Sequence, residues 1–312
     1  MDPAFEPLAK HPRPVLRDAG VVRRQLLASR QARGASPSDK NMEIEECSVA
    51  AADAQQKQVV VRIHRPKSAP RPLPVLLYLH GGGFFCGDRF SEEPQCIYYA
   101  LNVVCAVVCV EYRLAPEEPY PAALRDCYAV LEFLASPGNG MGLDPERIAV
   151  GGSSAGANLA AAVTLLARDR KGPGICFQML LVPALDDRLE TPSARQFTDL
   201  PDFARPEAEV MWRWYLGEDP ENVSPYAAPA RAEDLSGLPA AYVLCAGLDP
   251  LRDEGLRYAE RMTAAGVAVE LHLVPSIPHG FASVPSAATS QQLLREQAHV
   301  LRRAFRGKRD NS

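Results

Sequence analysis

No apolar stretch of this sequence approaches the roughly 20 residues that cross a bilayer as a helix, so no membrane span is expected. The opening residues, MDPAFEPLAKHPRP, carry Asp2 and Glu6 and lack an apolar signal core, which argues against secretion. Neither a CxxC pair nor an HExxH motif occurs, so the usual zinc patterns are missing and no metal is expected. The 8 cysteines fall at irregular spacings, with Cys105 and Cys109 inside the apolar run VVCAVVCVEY, and read as reduced core residues. An excess of basic charge is also missing. The formal net charge of −4 gives no electrostatic reason to expect nucleic acid, and the basic end RRAFRGKRDNS is short enough to be a solvated tail. These absences leave the expectation of a cytoplasmic protein without metal.

What is present is a substantial core. The 312 residues are 47% hydrophobic and 23% charged, within the range that α/β proteins build around a single sheet. Short apolar, β-branched runs recur: VVVRIH from Val59, PVLLYLH from Pro74, VVCAVVCVEY from Val103 and RIAVGGS from Arg147. ICFQMLLVP from Ile175, AAYVLCAG from Ala240 and VAVELHLVP from Val267 follow. Several are apolar on both faces, as strands of a parallel sheet covered by helices must be, whereas the last alternates and belongs nearer an edge. Helical patterns lie between them, from Ala122, Ala155, Pro250 and Ser290. The alternation predicts an open, mostly parallel α/β sheet flanked by helices.

Two regions stand outside that alternation. Residues 1–50 hold a helical pattern, PVLRDAGVVRRQLLASRQ, and then a polar loop. Residues 186–237 form a connection longer than a βα link needs, with Val210, Met211, Trp214 and Tyr215 at helical spacing. The expected division is an N-terminal cap segment (1–50), a first core part (51–185), a cap insertion (186–237) and a second core part (238–312). The cap would cover the C-terminal strand ends, where α/β sheets bind ligands. The bland alternative is that both regions pad the sheet edges.

The stretch RIAVGGSSAGANLAAAV, from Arg147, raises the chemical question. A dinucleotide fingerprint fails at Ser153, which stands where the second glycine belongs, and a P-loop fails at Ala157, where Lys is required. No nucleotide cofactor is expected. G-x-S-x-G fits at Gly152–Gly156, between an expected strand and an expected helix, and centring it on Ser154 places glycine two residues away on each side. Upstream, HGGGF ends a strand with three consecutive glycines whose N–H groups no side chain shields. Such a loop can aim donors at a developing oxyanion, with a further N–H from Ala155.

A serine hydroxyl needs a base, and the base needs an orienting carboxylate. Of the 6 histidines, His64 and His272 fall in expected strands, His299 on the last helix and His11 near the start. His80 belongs to the glycine loop and is read as its brace. His279 follows the last strand on a loop and can reach the sheet's C-terminal edge. Asp249, just past the preceding strand, supplies the carboxylate, although Asp before Pro is also a usual helix cap. Asp253 is the weaker candidate, one helical turn further on.

HGGGF (His80–Phe84), YRLAPEEPYPAAL (Tyr112–Leu124), GSSAG (Gly152–Gly156), DPLRDEG (Asp249–Gly255) and HGF (His279–Phe281) occur in that order. With them, the sequence resembles the hormone-sensitive-lipase-like, bacterial family IV type carboxylesterases of the α/β-hydrolase superfamily, over roughly Pro74 to Phe281. The resemblance implies Ser154 as nucleophile, His279 as general acid/base, Asp249 as its carboxylate, and Gly82, Gly83 and Ala155 as oxyanion donors. It implies that Arg113 and Glu117 support the oxyanion loop. Many relatives have Asp immediately before the nucleophile, where this chain has Ser153.

The expected activity is hydrolysis of short- to medium-chain or small aryl esters through an acyl-enzyme, with Phe84, Trp212, Trp214 and Tyr215 as substrate-pocket candidates that could equally be core. Lactone, amide or carbamate cleavage would use the same machinery. A non-catalytic receptor on this scaffold is disfavoured because His279 is in place. The expected partner is a small-molecule ester, and a homodimer stays open.

Overall fold

The computed structural model describes residues 1–9, 18–33, 40–51, 58–137, 140–217 and 221–307. Among these, strands β1 (Met42–Ala50), β2 (Gln58–Pro66), β3 (Leu73–Leu79), β4 (Ala106–Val110), β5 (Leu143–Ser153), β6 (Phe177–Leu181), β7 (Ala241–Leu248) and β8 (Val269–Pro278) form one sheet. Their spatial order is β1-β2-β4-β3-β5-β6-β7-β8. β2 runs antiparallel to both neighbours, and every other pair is parallel. The helices are α1 (Glu6–Ala9), α2 (Ala19–Arg33), α3 (Glu93–Tyr99), α4 (Ala122–Ala135), α5 (Ala155–Asp169), α6 (Pro192–Gln196), α7 (Arg205–Leu216), α8 (Arg252–Ala264) and α9 (Ala288–Arg306).

The pleat divides the core in two. Along β3, Val75, Leu77 and Leu79 enter one apolar cluster with α4, α5 and α8, while Leu76 and Tyr78 enter the other with α3 and α9. Both sets are buried, which is why these strands read as unbroken apolar runs rather than as alternating ones. β8 alternates and lies at the sheet edge, as its pattern predicts.

Two segments differ from the sequence reading. The polar stretch expected to end the N-terminal region is in part a strand: Met42–Ala50 pairs along its length with β2. Its glutamates hide it. Glu43 and Glu45 reach Arg65, Glu46 reaches Arg62, and such charges are the usual protection of an exposed sheet edge. The run from Val103 becomes strand only at Ala106, because residues 100–104 close the preceding helix in a wider turn that ends at Val104. Apolar content alone does not separate a buried helix end from a buried strand. Of the expected N-terminal helix, α2 is observed, and residues 10–17, with His11, lie outside the described residues.

From β3 the chain leads to β4 on one side, and β5 lies on the other. The C-terminal ends of β3 and β5 therefore flank a topological switch point, where a crevice opens. The segment after β4 is tied down beside it. Asp126 on α4, fully buried, accepts from the Arg113 backbone N–H at 2.9 Å and pairs with the Arg113 guanidinium at 2.8 Å. Removing Asp126 leaves the largely buried Arg113 guanidinium facing the half-exposed Glu118, a more distant partner at 3.7 Å, so Asp126→Ala is expected to lower the unfolding free energy by up to about 3–5 kcal/mol. Urea denaturation measures this, and a loss under about 1 kcal/mol would show that Arg113 finds other support.

Candidate active site

The GSSAG turn joins β5 to α5. Ser154 sits at φ 53°, ψ −116°, a left-handed conformation that side chains avoid and that typically costs about 1–3 kcal/mol. The turn is this tight because it packs against the end of β3. A Cβ at Gly152 would fall 2.2 Å from the Leu79 carbonyl oxygen, and one at Gly156 would fall 2.0 Å from the same atom. Only glycine fits at either position. The Ser154 N–H donates to the Leu181 carbonyl at 2.8 Å, which fixes the strained residue to β6.

Three distant residues meet there. His279 Nε2 lies 2.9 Å from Ser154 Oγ, and His279 Nδ1 lies 2.7 Å from Asp249 Oδ2. Asp249 is 1% exposed, and its other oxygen accepts the Leu251 N–H at 2.9 Å. It therefore caps the turn before α8 and orients the imidazole at the same time. Asp253 plays no such part. It accepts the Ser193 N–H at 2.7 Å and pairs with Arg252, holding α6 against α8.

Burial disfavours a charged imidazole at His279. The Asp249 charge and hydrogen bond, and then the Asp202 charge, outweigh it, so the pKa is raised above the ordinary histidine value. Asp202 and Phe203 are contacts that the sequence reading missed. Asp202 Oδ2 accepts the Gly280 N–H at 2.6 Å, and the Phe203 ring stacks on His279 at 4.5 Å between centroids. Both come from the 186–237 region, and no periodicity or motif marked them.

The glycine loop after β3 faces the turn. Gly82 and Gly83 take φ values of 122° and 60°. Among the described residues, neither of their N–H groups is paired with a protein acceptor. Ala155 is the first residue of α5, so its N–H has no partner within the helix. His80 braces this loop as expected. Its Nδ1 lies 2.8 Å from the Gly81 carbonyl, its ring stacks on Tyr112, and burial lowers its pKa. Arg23 of α2 donates to the carbonyls of Phe85 at 2.5 Å and Ala115 at 2.6 Å and pairs with Glu117 at 2.7 Å. The N-terminal helix is thereby attached to the loop.

Three of the four expected pocket residues are core instead. Phe84, Trp212 and Tyr215 are 0%, 3% and 1% exposed, and Phe84 stacks on Tyr215 at 3.7 Å between centroids. A positive φ at Phe84 turns its side chain inward, away from the loop's open side. Trp214 is partly exposed and meets Phe85 edge-on at 4.9 Å, beside Val22 of α2. Phe85 is thus the aromatic at the loop, with its ring 2.6 Å from where a Cβ on Gly83 would lie.

The fold and site define a member of a known class. Residues 76–283 match the family described as alpha/beta hydrolase fold, and the chain belongs to that family, within its hormone-sensitive-lipase-like branch. It is 43% identical over 245 residues to the esterase LipI of Mycobacterium tuberculosis, covering 77% of each chain. It is 41% identical over 238 residues to the carboxylesterase NlhH of the same organism, covering 74% of each. Among solved structures, a bacterial heroin esterase superposes with a TM-score of 0.94 at 43% identity over 98% of both chains. Esterase LipW from Mycobacterium marinum gives 0.90 at 40%, over 98% of this chain and 96% of that one.

Removing the Asp202 charge withdraws one of the interactions that favour the imidazolium. In Asp202→Asn the His279 midpoint should therefore move to lower pH, read by NMR titration of the imidazole. An unmoved midpoint would mean that the Asp202 charge is not felt at the ring.

Proposed function

We propose that the protein is a serine carboxylesterase working through an acyl-enzyme. The observation that carries this reading is the continuous hydrogen-bonded chain from Ser154 Oγ through His279 to Asp249 Oδ2. Asp249 holds the tautomer in which Nδ1 carries the proton, which leaves the Nε2 lone pair for the serine hydroxyl. His279 takes the Ser154 proton as Oγ bonds to the acyl carbon. The carbonyl π pair moves onto oxygen, facing the N–H groups of Gly82, Gly83 and Ala155. When the tetrahedral adduct collapses, the C–O bond to the alcohol breaks and His279 Nε2–H protonates the leaving oxygen. Water then enters and gives a proton to His279 as its oxygen bonds to the acyl carbon. When this second adduct collapses, the bond to Ser154 Oγ breaks, His279 returns the proton to Oγ, and the acid leaves.

The working base is the neutral imidazole. Because its pKa is raised, hydrolysis falls off on the acid side as His279 takes up a proton, and that limb lies above the ordinary histidine value. We read α2 and the 186–237 region as the cap. Arg23, Phe203, Met211 and Trp214 bring it to the loop and to His279, and the partly exposed Trp214, backed by the buried Phe85 ring, presents apolar surface at its rim. A rim built from so few rings suits short or medium acyl chains and small aryl esters. The names of the relatives, esterase and carboxylesterase, support an ester as substrate.

Ser154→Ala is expected to abolish turnover of p-nitrophenyl acetate, while Ser153→Ala keeps the nucleophile and retains measurable turnover. The opposite pattern would move the nucleophile to Ser153. Asp249→Asn should lower kcat by up to about 10⁴, the loss seen when an orienting Asp in such a triad becomes Asn. A graded series of p-nitrophenyl esters then measures the chain-length limit, which a rate that keeps rising beyond medium chains would refute.

A further inference from the structure

The residue before Ser154 is Ser153, where many relatives carry a carboxylate, yet a carboxylate stands beside it. Glu92 comes from the turn that opens α3. Its Oε1 accepts the Ser153 hydroxyl at 2.6 Å and the Gly81 N–H at 3.2 Å, and its Oε2 accepts the Tyr78 hydroxyl at 2.5 Å. These three donors belong to three different parts of the site. Tyr78 lies near the end of β3, Gly81 begins the oxyanion loop, and Ser153 ends β5. Glu92 is the first flanking residue of α3, but its side chain makes no helix cap, so the carboxylate is committed to the site instead.

The next residue anchors the same helix from the other side. Glu93 pairs with Arg62 at 2.7 Å and with His64 at 3.2 Å, both on β2. The start of α3 is therefore held between β2 and the β3–β5 crevice. Burial raises the Tyr78 pKa well above its ordinary value, and nearby acidic charge adds to this, so Tyr78 stays a donor. A carboxylate is the one side chain that meets three donors with acceptors alone. The approach is also close: a Cβ on Gly81 would lie 2.8 Å from Ser153 Oγ and 3.3 Å from Glu92 Oε1.

We propose that Glu92 is a positioning residue that holds the oxyanion loop in register with the nucleophile turn, performing from α3 the bracing that a carboxylate at position 153 would otherwise supply. The inference rests on the esterase reading above. It concerns the transition state more than substrate binding, because Gly82 and Gly83 follow the residue that Glu92 grips. A displaced oxyanion donor weakens what forms only on the tetrahedral adduct, and loss of one donor typically costs about 10²–10³ in rate.

The test is a charge exchange read with p-nitrophenyl acetate kinetics and with a trifluoromethyl ketone, which forms a tetrahedral adduct on serine. Glu92→Ala is expected to lower kcat about 10- to 100-fold with KM changed less than about 3-fold, and to weaken the ketone by a similar factor. Ser153→Asp alone should also fall at least about 10-fold, because it sets two carboxylates side by side. Ser153→Asp combined with Glu92→Gln restores one carboxylate, with the new amide donating to the carboxylate introduced at position 153 and its oxygen accepting from Tyr78. This pair should recover to within a few-fold of wild type, a rescue that general loss of folding does not produce. A kcat within about 2-fold of wild type in Glu92→Ala, or a double variant no better than Ser153→Asp, overturns the proposal. If wild type hydrolyses the ester and Ser154→Ala does not, such a result removes Glu92 alone. If wild type is inert to esters, the esterase reading fails and this inference with it.

Discussion

The site depends on one close approach, the carbonyl oxygen of Leu79 against the turn that follows β5. Side chains at 152 and 156 would overlap that oxygen, and their absence lets the end of β3 and the start of α5 lie in contact. The contact does two things at once. It holds Ser154 in a backbone state that turns its hydroxyl toward His279, and it places the glycine loop after Leu79 beside the same turn. The Ser154 turn and the glycine loop are thus two ends of one packing constraint.

The remaining parts keep a strained arrangement from relaxing. The sheet buries apolar side chains on both faces, so the strand ends are rigid platforms, and the cost of the Ser154 conformation is spread over that core. Around it, polar side chains fasten each connecting segment to a strand end: His80 and Tyr112 under the glycine loop, Arg23 over it, Asp126 behind the segment after β4. Glu254, buried on α8, accepts the N–H groups of Leu185 and Asp186 and so fixes where the insertion leaves the sheet. The DPLRDEG stretch therefore meets His279 through its first residue and holds the architecture through its sixth.

Much of the site could be read in one dimension because its members are held by backbone requirements. A glycine needed for a close approach, a serine between two such glycines, and an Asp and a His at successive strand ends leave fixed spacings. Contacts made by ordinary side chains across the fold leave none. From a segment without periodicity Asp202 reaches the Gly280 N–H and Phe203 the His279 ring, and Glu92 reaches Ser153 from 61 residues away. The aromatic candidates failed for a related reason. Phe84, Trp212 and Tyr215 are core because the inward turn at Phe84 lets the rings close on one another, and composition cannot tell a ring that lines a cavity from one that fills it.

By itself the sequence determined the sheet's class and pointed to Ser154, His279, Asp249 and the glycine loop, which the fold brings together, since each sits at a local backbone demand that restricts residue type. The edge strand β1, the inward fate of three aromatics and the carboxylate beside Ser153 were decided only in three dimensions. Each depends on which distant surface a side chain meets, and that is set by the packing of whole elements.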